Sequence, residues 1–203
     1  MQEPAWMVMM PPVSIALKGE QFMLNSETSL KLLKENFLAT STLSMPYAGI
    51  IFWSIAGVAG VFLTSKQLAY GVAFGSGLIF PLAVLIDKLR GHNLLKGGTE
   101  NPLTGMFLQS IFMVVLLWPL VILAAAGKPL FIVLGAAILT GIIWIPYGWA
   151  ADDPVGLRHA IARAVLSYAA YKFVPAPYTG SAICATVLVC YCYSLLKMRR
   201  AAN

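Results

Sequence analysis

At 203 residues, with 59% hydrophobic and 11% charged side chains and a mean hydropathy of +0.79, the chain lies far from a soluble domain, where about 25% of residues are charged. Its net charge of +6 is spread between apolar runs and forms no soluble basic domain. That excludes nucleic acid as a partner and assigns the excess charge to the lipid bilayer, as contact with anionic headgroups. The class is an integral membrane protein, all-α.

Residues 1–36 read as an N-terminal cytoplasmic segment and 37–203 as one transmembrane domain. The apolar patch Ala5 to Ile15 is broken by Pro11-Pro12 and has no basic residue ahead of it, which rules against a signal peptide. It is either a surface segment, or the natural start lies at Met23. Leu30, Leu33 and Phe37 fall on one side of a helix and Lys31, Lys34 and Glu35 elsewhere. This spacing predicts a short amphipathic helix over about 26–37, lying on the cytoplasmic surface.

Five runs, 36–65, 67–86, 101–127, 129–151 and 173–196, contain no charge, and a bilayer core needs about 20 apolar residues as helix. They predict spans over about 44–64, 68–86, 103–125, 130–150 and 177–196. A sixth segment, about 155–174, has the length but carries Arg158, His159, Arg163 and Lys172. Counting it makes six transmembrane helices with both termini cytoplasmic. Eleven of the 14 basic residues then lie inside, leaving Lys66, Lys128 and Lys172 outside, as the positive-inside rule requires.

Small residues four apart let helix backbones approach closely. Ala56 and Gly60 in span one and Gly71-x-x-x-Gly75 in span two predict packing between these spans across a turn at Ser65-Lys66-Gln67. A homodimer face is the other use of the second pair. Pro46, Pro81, Pro119 and Pro146 put a break or kink in four spans, each freeing a backbone carbonyl. Asn101-Pro102 is a helix start, an Asn cap before proline. Trp118 and Trp144 to Trp149 read as interfacial belts. Lys96-Gly97-Gly98-Thr99 lacks the full phosphate-loop string. Met45-Pro46-Tyr47 and Ile145-Pro146-Tyr147 fall on the same side of the bilayer, against an inverted repeat.

Gly77-Leu78-Ile79-Phe80-Pro81-Leu82, Asn101-Pro102-Leu103, Trp118-Pro119-Leu120 and Pro146-Tyr147-Gly148-Trp149, in this order, resemble a family of small bacterial polytopic membrane proteins of unknown function, over roughly 35–197. Gly97-Gly98-Thr99-Glu100 and the first 22 residues depart from its pattern. The resemblance implies a multi-pass bundle in a bacterial cytoplasmic membrane and carries over no catalytic or binding residue.

The chemistry concentrates in the sixth segment. Asp153 as cap and Pro154 at the first helical position start its helix, and the acidic pair complements the dipole. His159, Arg163, Ser167 and Tyr171 recur every four residues and form one stripe. Arginine at the bilayer centre costs about 2.5–3.5 kcal/mol, so Arg163 snorkels to headgroups, faces protein or water with a partner, or belongs to a helix lying partly in the interface. Asp152, Asp153, Asp87 or carbonyls freed by Pro81 or Pro146 are the candidates. Two histidines exclude a three-histidine metal site. Cys184, Cys190 and Cys192 lie in one apolar run without ligand spacing, and Ser76 and His159 fall in opposite halves of the bilayer, against a serine–histidine pair. No catalytic, metal or cofactor site is expected, and the chain does not read as an enzyme. Two functions remain: a small transporter or channel-like protein for a polar or anionic solute, its pathway lined by Arg163, His159, Ser167, Tyr171, Asp87, Gln109 and Thr140; or a non-transporting protein acting through lipid or partner contact.

Overall fold

The computed structural model describes residues 29–41, 43–91 and 101–199. Among them the chain is all-helical. Helix α1 covers residues 29–40, followed by α2 (Ser44–Phe62), α3 (Ser65–Gly75), a 3₁₀ turn (Ser76–Leu78), α4 (Ile79–Leu89), α5 (Pro102–Ala124), α6 (Leu130–Ile142), α7 (Trp144–Ala150), α8 (Val155–Phe173) and α9 (Thr179–Lys197). Five helices are long and apolar enough to cross a membrane: α2, Ser65–Leu89, α5, Leu130–Ala150 and α9. Helix α8 has the same 19 residues as α2 and α9, but its charges keep it out of that set. The first 28 residues and His92 to Glu100, including Lys96, lie outside the described residues, so the expected start of α1 and most of the α4–α5 connection do too.

Local chemistry sets the boundaries. The second long helix starts three residues earlier than expected, because Thr64 and Gln67 form a reciprocal capping box that satisfies two orphan donors. Ser65, Lys66 and Gln67 are thus its first turn, not a loop. Asn101 caps α5 by accepting the Leu103 N–H at 2.9 Å, as its place before Pro102 predicts. Prolines 46, 81 and 146 each fall at the third residue of a helical segment, where the missing N–H would have had no intrahelical partner. The chain therefore accommodates Pro81 and Pro146 by starting new segments at Ile79 and Trp144, and only Pro119 lies inside a helix.

Helix α9 packs on α8, α2 and α6; α6 also meets α3, α5 and α8; and α2 meets α3 and α4. Trp53, Val72, Val133, Ile183 and Val187 fill the centre. The outside carries exposed Ile55, Phe62, Leu116, Leu123 and Leu196, as expected of faces turned to hydrocarbon. Of the expected packing residues, Ala56 and Gly60 are buried, and a side chain at Gly60 would stand 2.6 Å from the Ser181 hydroxyl. Gly75 fits Phe52, whereas Gly71 faces open space and packs on nothing. The closest backbone approach is instead Gly148 against Gly156, where a Cβ on Gly148 would lie 2.8 Å from the Gly156 Cα. Only glycine allows this corner between α7 and α8. Trp144 is buried and not in an interfacial belt, while Trp149 is half exposed.

One end of the bundle is tied by polar contacts. Lys34 of α1 donates to Asp152 Oδ1 at 2.9 Å and lies 5.0 Å from the Trp149 ring centre. Asn101 Nδ2 donates to the Leu33 carbonyl and to Asn36 Oδ1, both at 2.9 Å. Phe37 is buried against Phe107 and Tyr147. Asp152 sits at φ 53°, a left-handed position that aspartate tolerates better than most residues, and its second oxygen lies 3.8 Å from Arg199. Lys34's hydrogen bond, then its charge, hold the Asp152 carboxyl below its ordinary range. Helix α1 thus docks on the bundle through Phe37 and Lys34, while Leu30 and Leu32 remain exposed.

Candidate functional site

Helix α8 turns its four-residue stripe inward. His159, Arg163 and Ser167 are each fully buried, and Tyr171 is half-buried edge-on to Phe131. Asp153 Oδ1 accepts the Val155 N–H at 2.9 Å and Oδ2 the Arg199 N–H at 2.6 Å. The expected cap is present, although regular helix begins at Val155 and Pro154 flanks it.

Arg163 is enclosed by protein and meets no carboxylate among the described residues. Among the described residues, the ion pairs within 4 Å are those of Asp152 with Lys34 and Arg199. Arg163 Nη2 donates instead to the Thr140 hydroxyl, and Nη1 lies 3.4 Å from His159 Nε2. The guanidinium carbon stands 5.3 Å from the Trp53 ring centre and 5.2 Å from that of Tyr191. Nε has no hydrogen-bond partner. Two aromatic faces and two neutral acceptors therefore replace water around the cation. Gly141 makes room for the stem, since a Cβ there would lie 2.9 Å from Arg163 Cδ.

Arginine can only donate, so His159 Nε2 accepts and the ring proton sits on Nδ1, which donates to Ser194 Oγ at 2.8 Å. The imidazole stacks on Trp144 at 4.1 Å and 14° and meets Tyr191 edge-on at 5.2 Å. One turn on, Thr186 donates to the Ile183 carbonyl at 2.7 Å, so the 3.1 Å contact with Ser167 is donated by Ser167.

Thr140 links this cluster to a cavity of about 470 Å³. Its hydroxyl donates to the Ala136 carbonyl at 2.8 Å, accepts from Arg163 and lines the cavity wall. Helices α4 and α5 form the flanks through residues such as Phe80, Phe107, Ile111 and Val114, and Phe37, Ala39, Thr40 and Ser41 line the α1 end. Among the described residues no charged side chain lines it; its side-chain hydroxyls include those of Ser76, Thr104 and Thr140. Thr104 Oγ1 is buried without a hydrogen-bond partner.

Of the residues the sequence singles out, the structure unites His159, Arg163 and Thr140, with Ser167 a turn away. Asp87 is buried elsewhere, accepting from Ser44 at 2.9 Å, and Gln109 is on an exposed face. Trp53, Tyr191, Ser194 and Gly141 complete the cluster and carry no sequence signal, because each lies in a charge-free run. Among the described residues no group of three or more His, Cys, Asp or Glu could hold a metal ion.

Residues 35–199 match the family model described as a family of unknown function, DUF7010, and the chain belongs to that family. No curated protein and no solved structure matches it.

Proposed function

We propose that this DUF7010 protein is a six-span protein of a bacterial cytoplasmic membrane, its α1 and C-terminal ends inside, that binds and moves a small anionic or polar solute. Counting α8 as the sixth span is supported by its length and by its inward-facing Arg163. The orientation is supported by charge. Lys31, Lys34, Lys88, Arg90, Arg158, Lys197 and Arg199 belong to the α1 end and Lys66, Lys128 and Lys172 to the other, a bias that favours the α1 end as cytoplasmic.

One observation carries the functional reading: a fully buried arginine with no carboxylate in reach among the described residues shares its acceptor, Thr140, with a ligand-sized cavity. Burying an unpaired cation is costly, and an anion in the cavity would offset that cost across a single hydroxyl. Thr140 separates the cavity from Arg163, the charge behind it.

The test is uptake of radiolabelled chloride, phosphate and hexanesulfonate into proteoliposomes. At least one should enter faster than in protein-free vesicles and lose that advantage in Arg163→Leu, with the variant's helix content unchanged. Equal uptake in the variant overturns the reading. Saturable binding without uptake transfers it to the non-transporting alternative.

A further inference from the structure

We infer that the cavity's ligand is a single-chain amphiphile with one small anionic head. The inference rests on the reading that Arg163 attracts an anion, and adds what the rest of the molecule must be.

The argument comes from the walls. A freely hydrated ion entering this cavity would exchange water for Phe80, Phe107, Ile111 and Val114, with a few hydroxyls and the indoles of Trp118 and Trp144 as the polar side chains of the wall. The cation is confined to one spot, behind Thr140. A molecule that is charged at one end and apolar along the remainder matches that distribution. Its head would lie beside Thr140, attracted by the Arg163 charge behind that residue, and its chain along α5. The volume of about 470 Å³ lies within the ordinary range for a small-molecule site.

The route in supports the same class. Helix α4 packs on α2, while α5 packs on α6 and α7, and the cavity lies between these two groups. At the α1 end the cavity is lined by buried Phe37 and by Ala39, Thr40 and Ser41, of which Ala39 and Thr40 are exposed. The outer faces of the flanking helices carry exposed Leu78, Leu85, Phe112 and Leu116. A bilayer-soluble amphiphile entering between α4 and α5 would thus meet apolar side chains along its way. Thr104, buried with an unpartnered hydroxyl on the same cavity, adds a polar spot to the otherwise apolar α5 wall.

The full chain in nanodiscs, with protein-free nanodiscs subtracted, is titrated with hexadecanesulfonate, 1-palmitoyl lysophosphatidate, hexadecanol and methanesulfonate. Saturable binding of about one hexadecanesulfonate per chain is expected, with hexadecanol at least tenfold weaker and a hundredfold excess of methanesulfonate unable to compete. The ranking of sulfonate against lysophosphatidate separates a free amphiphile from one drawn from membrane lipid, and failure of both to bind overturns the proposal. Ile111→Trp, at a half-buried wall position, should abolish binding by filling the cleft; undiminished binding overturns the site. Arg163→Gln should bring the sulfonate down to the affinity of hexadecanol. Competition by methanesulfonate overturns the amphiphile but leaves the anion reading standing. Equal binding of hexadecanol and hexadecanesulfonate, unchanged in Arg163→Gln, overturns the anion reading itself while the chain preference survives.

Discussion

The chain handles charge in two opposite ways within a dozen residues. At the α7–α8 joint, Asp152 is exposed and meets Lys34 and Arg199, while Asp153 is buried but accepts two backbone N–H groups. About two turns into α8, Arg163 is as deeply buried as any residue and has rings and neutral acceptors for company. The joint is fully explained by helix capping and ion pairing. The arginine is not, because an apolar residue would fill its place at lower cost, and groups retained against stability are where function is to be sought.

Four outcomes would break or sharpen this contrast. The largest is Gly156→Val, where the new Cβ meets the Trp144 carbonyl and the Gly148 backbone; neither yields easily, so thermal unfolding in detergent should show a loss above about 4 kcal/mol. Next, Arg163→Leu should abolish anion-dependent binding in nanodiscs while leaving unfolding unchanged or raised by about 1–4 kcal/mol, as when a buried charge is replaced by an apolar side chain. A large loss of stability there would make Arg163 a structural residue. Asp153→Ala should cost about 1–2 kcal/mol by removing the α8 cap, with binding intact.

The smallest effect concerns Lys34 and Asp152. Because the folded carboxyl is held below its ordinary value, its contribution is present above the unfolded value of about 3.9. It is lost as pH falls through the lower folded value. Protection against hydrogen exchange at residues 33–40, taken relative to the intrinsic rate at each pH, should fall over that acidic window in the native chain and stay unchanged over it in Lys34→Ala. An unchanged profile between the two would show that Phe37 and Asn101 alone hold α1.

Much of this architecture is legible in the sequence, since span length and freedom from charge are composition, and the Asn101 and Asp153 caps are local. The four-residue recurrence from His159 to Ser167 reports a buried face for the same reason. What surrounds that face is not legible. Trp53, Tyr191 and Ser194 come from α2 and α9 and look like any other residues of an apolar helix; only three-dimensional packing brings their rings to the guanidinium. Small-residue spacing was similarly ambiguous: Gly71-x-x-x-Gly75 has the better-known pattern, yet the tightest contact uses Gly148 and Gly156, separated by a turn and without a fixed period. Gln109 and Asp87 show the converse limit, because polarity in a span does not say which way the helix faces.

The glycine corner also sets a mechanical tolerance. Arg163 lies seven residues beyond Gly156, about 10 Å along the axis, and Thr140 belongs to the segment on the other side of the corner. A tilt of about 10° at Gly148–Gly156 would swing the guanidinium end of that lever by about 2 Å, more than a hydrogen bond can stretch. The two glycines thus act as the fulcrum that keeps a distant cation in register with its one link to the cavity.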